Sequence, residues 1–437
     1  MKIMKFGGTS VGSPERMRNV ARLICETDGP KIVVLSAMSG TTNSLLAIAA
    51  ELEKGNVHEA EILISTLKEN YHKVAEDLFS TPKWRDSAIK FIDEVFNLLV
   101  KISHRPYSSL SEREIVAQGE ILSTNLVYGY FQEQNIDIEM ISALDFMKTD
   151  EHGEPDLNII KSELQKILDS QPGKGLFLTQ GFICRNPKGE IDNLMRGGSD
   201  YTASIIGAVV NADEVQIWTD IDGMHNNDPR FVEETVPVHN LHFEEAAELA
   251  YFGAKILHPT CILPAKLNNI PVRLLNTMDP KAEGTTIGNT LDTGSIKAVA
   301  AKDNITAIKI KSSRMLLAYG FLKKVFEIFE KYETPIDMIA TSEVGVSLTI
   351  DNDKHLKEIV ADLEELGTVT IDTDMVIICV VGDLDWQNRG FEAKALDALR
   401  NIPVRMISYG GSNYNVSFLI RKQDKVKALR LLSYHLF

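Results

Sequence analysis

A glycine-rich loop near the start of the chain combines the residue types that bind phosphate. The loop Lys5-Phe6-Gly7-Gly8-Thr9-Ser10 follows an alternating segment over 2–6 that predicts a short strand, and Pro14 opens a predicted helix. Glycines let the backbone approach an anion closely, a helix start offers free N–H groups, and Lys5 adds a positive charge. The spacing is neither that of a Walker A loop nor GxGxxG, so the loop alone is equally consistent with a tight turn.

A glutamate on a predicted helix could bind an amine. The capping box Ser111-Glu112-Arg113-Glu114 opens a helix through Tyr130, and Glu120 lies off its apolar stripe. Its neighbours at helical spacing are Val116, Ala117, Ser123 and Thr124. Three of these are small, which leaves room for a ligand amine above the carboxylate. The alternative is an ordinary solvated glutamate.

A second glycine pair follows an arginine. In Arg196-Gly197-Gly198-Ser199-Asp200 a guanidinium precedes a predicted helix start, an arrangement suited to gripping a carboxylate. Asp200 is consistent with two roles, the N-cap of this helix or the partner of Lys5 during phosphoryl transfer.

Two further loops carry groups that could contact a nucleotide. The segment 218–230 ends a predicted strand in a polar loop in which Arg230 could bind phosphate, and the segment 252–259 contains Lys255 beside a glycine. Neither loop has the ligand spacing of a zinc site.

Composition narrows the class of protein. The 437-residue chain has 61 acidic and 46 basic residues and a formal net charge of −15, which disfavours a nucleic-acid or anionic-membrane surface. Its four cysteines form no CxxC and are expected to be reduced. No apolar run is long enough for a membrane span or signal peptide, so we expect a cytoplasmic protein of two or three domains.

The first two-thirds of the chain alternate between predicted strands and helices. Buried-strand patterns occur over 31–37, 175–183, 214–219 and 271–275. Strands in this rhythm predict a mostly parallel sheet covered on both faces. Ligands of such sheets bind in the loops after the carboxyl ends of the strands, where the segments above are found.

The last third contains an internal repeat with an offset of 70 residues. Strand patterns over 305–310 and 375–380, and helix starts at Gly320-Phe321 and Gly390-Phe391, repeat in the same order. Each copy reads β-α-β-β-α, which predicts a duplicated ferredoxin-like module. The repeat is consistent with a structural dimerisation appendage or with paired small-molecule sensors. The predicted domains are 1–290, a linker over 291–304, and modules over 305–374 and 375–437, in which the strand 305–310 can pair with either module.

Taken together, the motifs resemble those of the aspartokinase family. The matching segments occur in the family's order: Lys5 to Ser10, Arg196 to Ala203, Trp218-Thr219-Asp220, Asn227 to Arg230, and Phe252 to Pro259. The two terminal modules look like ACT domains. The resemblance implies an α/β protein with the amino-acid-kinase fold, a carbamate-kinase-like αβα sandwich, followed by two ferredoxin-like ACT domains.

The resemblance also implies a reaction and its residues. ATP with Mg²⁺ would phosphorylate L-aspartate to 4-phospho-L-aspartate, the entry step to lysine, threonine and methionine biosynthesis. Lys5, Asp200 and Arg196 would be catalytic. The aspartate pocket would comprise Ser36, Thr42, Glu120, Phe182, Arg196 and Ser199. ATP would contact Lys5, Gly7, Gly8, Thr9, Thr219, Asp220, His225, Arg230 and Lys255.

A regulatory site is implied in the first module. The residues that resemble the effector site of lysine-inhibited members are Met315, Gly320, Phe321, Leu322, Asp337, Thr341, Ser342 and Glu343. The sequence departs from the family at Met195, where glycine is usual, and at His225, where tyrosine is common. Ala318 and Tyr319 replace a more polar pair, so lysine, threonine or no effector remains open. Pairing of ACT domains would make the protein a homodimer or homotetramer.

Three alternatives have different consequences. A kinase for glutamate or acetylglutamate would typically lack the duplicated tail. A fusion with homoserine dehydrogenase is disfavoured because no GxGxxG domain follows. A catalytically inactive amino-acid sensor of the same fold would be expected to lose some of Lys5, Glu120, Arg196 and Asp200, all of which are present.

Overall fold

The computed structural model describes residues 1–194, 197–253, 258–312 and 319–437. It comprises two compact units, the first formed by Met1–Gly223 with Leu257–Asn289 and the second by Met224–Ile256 with Thr290–Phe437. Among the described helices none is both long and apolar enough to cross a membrane.

The chain begins with a strand and helix alternation and a long helical insertion. These elements are β1 (Lys2–Phe6), α1 (Pro14–Glu26), β2 (Lys31–Leu35), α2 (Thr41–Glu53), α3 (Val57–Leu78), α4 (Pro82–Ser103) and α5 (Ser109–Glu133). The next elements are β3 (Glu139–Met140), α6 (Ala143–Phe146), α7 (Leu157–Asp169), β4 (Leu176–Gln180), β5 (Ile183–Arg185), β6 (Ile191–Asn193), α8 (Gly198–Val210) and β7 (Glu214–Thr219). There follow β8 (Asn240–His242), α9 (Phe243–Tyr251), α10 (Leu263–Leu267), β9 (Val272–Asn276) and β10 (Thr285–Gly288).

The central sheet of the first unit is mostly parallel. Its strands run in the order β3-β4-β2-β1-β7-β9-β10, and only the β9–β10 pair among them is antiparallel. The predicted strand over 175–183 is interrupted, because β4 ends at Gln180 and a turn at Gly181-Phe182 leads into β5.

Alternation along β1 decides which residues face which layer of helices. Met4 and Phe6 join the core formed with α1 to α5, including the helical insertion. On the opposite face α8 packs against β1, where a Cβ on Gly207 would lie 3.7 Å from Ile3. Because side chains alternate along a strand, Lys5 shares the face of Ile3 and points toward α8. Helices on both faces of the sheet confirm the predicted αβα sandwich.

The second unit continues with two long strands. Its remaining elements are β11 (Ile296–Lys311), α11 (Phe321–Lys331), β12 (Ile339–Ser342), β13 (Gly345–Ile350), α12 (Leu356–Glu364), β14 (Thr368–Gly382), α13 (Phe391–Ala398), β15 (Met406–Ser408), β16 (Asn415–Arg421) and α14 (Lys425–Leu436). The strands of this list form one six-stranded antiparallel sheet in the order β12-β13-β11-β14-β16-β15. Each half of the sheet has its own core of buried apolar side chains.

Most of the predicted linker is strand. Within β11, residues 296–302 pair with 377–382 of β14, residues 307–311 pair with 368–372 of β14, and residues 306–311 pair with β13. The second ferredoxin-like module therefore takes its fourth strand from a segment that precedes the first module. The 70-residue repeat locates the other strands, but periodicity cannot show which distant segment will pair with an exposed edge.

Candidate active site

The polar loops of the first unit meet because their strands are neighbours. In the parallel ladders Phe6 pairs with Leu35 and with Trp218, and Leu35 pairs with Gln180. These residues end or nearly end β1, β2, β7 and β4, so the loops that follow lie side by side at one edge of the sheet. This is the edge at which parallel sheets bind ligands.

Lys5 and Asp200 form an ion pair at this edge. Nζ of Lys5 lies 2.6 Å from Oδ1 of Asp200, and the two side chains are 10% and 17% exposed. Asp200 lies in the first turn of α8, whose N-cap is Gly197 with a φ of 67°. The alternative of Asp200 as the N-cap is therefore wrong, and its carboxylate instead holds the lysine ammonium.

The glycine loop after β1 is held by backbone contacts. The amide of Gly7 donates to the carbonyl of Trp218 over 3.1 Å, and the amide of Ser39 donates to the carbonyl of Gly8 over 3.1 Å. A Cβ on Gly8 would lie 2.8 Å from the carbonyl oxygen of Ala37, so only glycine fits there. Thr9 accepts a bond from the Arg16 guanidinium through its carbonyl.

Glu120 is a buried carboxylate with one oxygen unused. It is 4% exposed, and its Oε1 accepts a 3.2 Å hydrogen bond from the amide of Ala37. Its Oε2 is buried and has no hydrogen-bond partner among the residues that the structure describes. Burial raises the pKa of Glu120 from 4.5 to about 7, although the Ala37 amide and the nearby charge of Lys5 oppose the rise. The second carboxylate oxygen is therefore an acceptor available to a donor from a ligand.

The loop after β2 is tied to the helix that carries Glu120. The carbonyl of Ser36 accepts a 2.8 Å bond from the hydroxyl of Ser123, one turn after Glu120 on α5. Thr42 lies in the first turn of α2, next to Thr41, whose hydroxyl bonds that of Tyr71. Ser36 and Glu120 are therefore brought together.

The turn after β4 contacts the start of α8. The amide of Phe182 donates to the hydroxyl of Thr202 over 2.9 Å. Ser199 is 6% exposed and lies against Gly181. A Cβ atom added to Gly181 would be only 2.3 Å from the Cβ of Ser199. Phe182, Ser199 and Asp200 are thus held in one local structure.

The predicted nucleotide contacts divide between the two units. In the first unit the hydroxyl of Thr219 donates to Asp220 over 3.1 Å at the end of β7. In the second unit His225 bonds the hydroxyl of Thr235 over 2.8 Å. The exposed guanidinium of Arg230 forms a fork with Asp228, with contacts of 2.9 and 2.6 Å.

The loop that carries His225 and Arg230 is anchored inside the second unit. Asn227 donates its side-chain amide to the carbonyl of Leu429 on α14, and Arg430 donates to the carbonyl of Phe231. The ammonium of Lys425 lies 4.3 Å from the centre of the Phe231 ring. The part of the predicted nucleotide loop from residue 224 onward and the second module therefore belong to the same unit.

Among the predicted effector residues, Asp337 is the most constrained. Its side chain is 1% exposed, and Oδ1 accepts bonds from Lys302 over 2.6 Å and from the hydroxyl of Tyr251 over 2.8 Å. Oδ2 is buried without a partner in the described part of the chain, and burial raises the pKa of Asp337. Lys302 also contacts Asp351 over 2.9 Å.

The other effector candidates surround α11 and β12. Gly320 caps α11 with a φ of 81°, Phe321 is buried in the core of its module, and Leu322 is partly exposed. Thr341, Ser342 and Glu343 are exposed at the end of β12.

Three predicted site residues, Arg196, Lys255 and Met315, lie outside the described residues, as do Met195 and Ala318. Within the described ranges no group of three or more His, Cys, Asp or Glu side chains could hold a metal ion. Cys25 is exposed, the other three cysteines are buried, and all four are free thiols.

Comparison with known proteins decides between the classes of kinase. The model of the amino acid kinase family matches residues 1–276, and that of the ACT domain matches residues 378–436. The chain is 32% identical to lysine-sensitive aspartokinase 3 of Escherichia coli (strain K12), over all of this chain and 99% of that protein. It belongs to the aspartokinase family.

Two further similarities agree with this assignment. Chloroplastic aspartokinase 1 of Arabidopsis thaliana is 36% identical over 97% of this chain and 78% of its own length. The crystal structure of E. coli aspartokinase III in complex with aspartate and ADP, in the R-state, covers the whole of both chains with a TM-score of 0.85 at 31% identity. The predictions of an aspartate kinase, of the amino-acid-kinase fold and of ACT-type modules are confirmed.

Four groups that the sequence did not single out contact candidate site residues of this aspartokinase. They are the Thr202 hydroxyl at Phe182 and the Ala37 amide at Glu120 in the first unit, and Lys302 and Tyr251 at Asp337 in the second. Thr202 lies two residues after Asp200, in the segment from Arg196 to Ala203, but nothing in the sequence indicates that its hydroxyl would accept a bond from a turn twenty residues earlier.

Proposed function

We propose that this aspartokinase transfers the γ-phosphoryl group of ATP to the side-chain carboxylate of L-aspartate at the loops after β1, β2, β4 and β7. One carboxylate oxygen attacks the γ-phosphorus, the bond to the bridging β–γ oxygen breaks, and ADP leaves as 4-phospho-L-aspartate forms. No proton needs to move in this step. The observation that carries the proposal is the buried Lys5–Asp200 pair beside the glycine loop.

Lys5 is the proposed transition-state cation. Phosphoryl transfer requires in-line positioning and positive charge more than covalent help from the protein. Lys5 is held in place by Asp200 before the substrates arrive, so little reorganisation is needed as charge develops on the transferring group. Asp200 acts as a positioning residue, because its partner is the lysine.

Glu120 is the proposed site for the α-ammonium of aspartate. Its unused Oε2 supplies an acceptor in a buried environment, and an ammonium would satisfy that oxygen and favour the charged carboxylate. We assign the rest of the pocket to Ser36, Thr42, Phe182 and Ser199. Arg196 is proposed as the clamp for the α-carboxylate.

Gly7, Gly8, Thr9, Thr219, Asp220, His225, Arg230 and Lys255 are the proposed contacts of ATP. Mg²⁺ is proposed to enter as part of the MgATP substrate, since this ion usually keeps phosphate and water ligands in kinase sites. For Arg230 to bind phosphate, its guanidinium would have to release the Asp228 carboxylate and bond the nucleotide instead. Burial disfavours the charged Asp228, but the bonds from Arg230 hold the pKa of Asp228 below its usual range, so this exchange carries a cost.

Lysine is the proposed feedback effector, supported by similarity to a lysine-sensitive relative. Its ammonium would bind the unused Oδ2 of Asp337. The other proposed effector contacts are Met315, the residues from Gly320 to Leu322 and the residues from Thr341 to Glu343. We assign residues 1–290 to catalysis and residues 305–374 and 375–437 to two ACT modules, the second completed by residues 296–302. We further propose a cytoplasmic homodimer or homotetramer in the pathway to lysine, threonine and methionine.

A hydroxamate assay, in which hydroxylamine traps the acyl phosphate product, tests the reaction. Hydroxylamine traps acyl phosphates, so the chain with MgATP and L-aspartate should give a coloured iron–hydroxamate complex, and the Lys5→Met variant should not. Turnover with glutamate but not aspartate would contradict the proposed substrate. No turnover with either, together with lysine binding, would favour the inactive sensor.

A further inference from the structure

The turn after β4 holds a phenylalanine in an unusual conformation. Phe182 has a φ of 65°, whereas the other non-glycine residues with positive φ in the first unit's described part are asparagines: Asn135, Asn211 and Asn269. Asparagine tolerates this left-handed region, but a bulky side chain does so at a cost of roughly 1–2 kcal/mol. Other contacts must therefore impose this conformation on Phe182.

Hydrogen bonds around the turn provide the constraint. The amide of Phe182 donates to the Thr202 hydroxyl over 2.9 Å, and its carbonyl accepts from the amide of Leu194 over 2.8 Å. The amide of Gly181 donates to the carbonyl of Leu35 at the end of β2. Thr202 is fully buried on the second turn of α8. Its hydroxyl accepts from the Phe182 amide and donates to the carbonyl of Gly198 over 3.4 Å, so it ties Phe182 to the start of this helix.

Close packing extends the constraint to the reacting end of α8. Gly181 lies against Ser199, with a hypothetical Cβ only 2.3 Å from the Ser199 Cβ and 2.7 Å from its Cα. Asp200 follows directly and holds Lys5. A shift of the turn would therefore displace Ser199 and Phe182 together, on the side of the site that we assign to aspartate.

We propose that Thr202 is a positioning residue for the acceptor substrate. Its hydroxyl holds Phe182 in the left-handed conformation and so fixes the Gly181-Phe182 turn against the start of α8. This inference rests on the proposed aspartate site. It assigns no contact between Thr202 and substrate.

The chain offers a close control for removing this hydroxyl. Thr179 lies on β4 two residues before Gly181 and is also fully buried, but its hydroxyl has no hydrogen-bond partner among the described residues. Thr202→Val and Thr179→Val make the same chemical change. Replacement of a threonine whose hydroxyl is unpaired should be nearly neutral, whereas loss of a hydroxyl to which a partly buried amide donates is unfavourable.

Steady-state kinetics with aspartate and ATP varied separately give the main test. Thr202→Val should raise the KM for aspartate by roughly 10- to 100-fold and leave the KM for ATP within about twofold. Thr202→Ser should restore aspartate binding, and Thr179→Val should match the unsubstituted protein. An equal loss for both substrates that serine does not restore would overturn the proposal, as would an unchanged aspartate KM in Thr202→Val.

A double-variant cycle identifies the backbone conformation as the cause. Glycine adopts a φ near 65° without help, so in a Phe182→Gly background the Thr202→Val change should alter the aspartate KM by no more than about twofold. The same large factor in both backgrounds would show that the hydroxyl acts elsewhere. Because glycine removes the strain, this background also provides a variant that tolerates loss of the hydroxyl.

Amide hydrogen exchange separates this inference from the proposed reaction. A peptide covering residues 181–183 should exchange faster in Thr202→Val than in Thr179→Val, whether or not the protein phosphorylates aspartate. If the unsubstituted protein shows no turnover, the reaction is wrong but faster exchange still supports the constraint. Equal exchange in the two variants would refute it.

Discussion

Replacing Glu120 with glutamine separates the cost of burying a carboxylate from its use in binding. Glutamine has nearly the same shape, and its Oε1 can still accept the hydrogen bond from the Ala37 amide. The charge is lost, and an amide nitrogen takes the place of the oxygen that has no partner. We expect the variant to be more stable than the unsubstituted protein at alkaline pH and to bind aspartate much more weakly.

The pKa of Glu120 gives the sign and size of the stability effect. Burial raises this pKa from 4.5 to about 7. Below pH 4.5 the group is protonated in both the folded and the unfolded state. Between pH 4.5 and 7 the unfolded state loses the proton first, so the free energy of unfolding falls as pH rises. Above pH 7 the penalty is complete at ~3 kcal/mol, from about 1.4 kcal/mol per pH unit.

Chemical denaturation of both proteins at pH 5 and pH 8 measures this penalty. The advantage of Glu120→Gln should be larger at pH 8 by roughly 2–3 kcal/mol, somewhat reduced because glutamine also buries an amide. In the hydroxamate assay at pH 8 the variant's KM for aspartate should rise by roughly 100-fold or more, since a charged partner of the ammonium is lost.

A glutamate on the same helix serves as the control. Glu114 is a partly exposed residue of α5 that lies 3.5 Å from Arg105. Glu114→Gln should change stability by less than about 1 kcal/mol at either pH and leave the aspartate KM unchanged. If Glu120→Gln behaved like Glu114→Gln in both measurements, the reasoning from the buried, unpaired oxygen would be refuted.

Three other substitutions test separate parts of the structure. Lys5→Met should reduce kcat by roughly 10³-fold with the circular dichroism spectrum retained, and near-normal turnover would remove Lys5 from catalysis. Gly181→Ala places a Cβ 2.3 Å from that of Ser199 and should lower both activity and melting temperature. Gly175→Ala should change neither activity nor melting temperature, because a Cβ at Gly175 would have open space around it. Equal losses in the two variants would contradict the packing argument. Asp337→Asn should weaken inhibition by lysine at least about tenfold while leaving activity without lysine nearly unchanged, and undiminished inhibition would exclude Asp337 from the effector site.

Local chemistry in the sequence was enough to locate most of the candidate groups. The glycine loop after Lys5, the helix start before Asp200 and the strand patterns over 31–37 and 214–219 each depend on residues close together in the chain. The strand and helix patterns within each copy of the 70-residue repeat are also short, and their recurrence predicted two ferredoxin-like modules. Apolar periodicity and turn chemistry are local properties, so they can be recognised without knowing the fold.

The tertiary structure decided which groups act together. The bond between Glu120 and the Ala37 amide joins residues 83 positions apart, and the Lys5–Asp200 pair joins β1 to the helix α8 that packs on the same face of the sheet. Residues 296–302 complete a module whose other strands begin at β14. Such partners depend on strand order and register, which are fixed only when the whole sheet has formed. A buried polar atom then bonds with the groups that the fold places beside it, and these can be far away in the sequence.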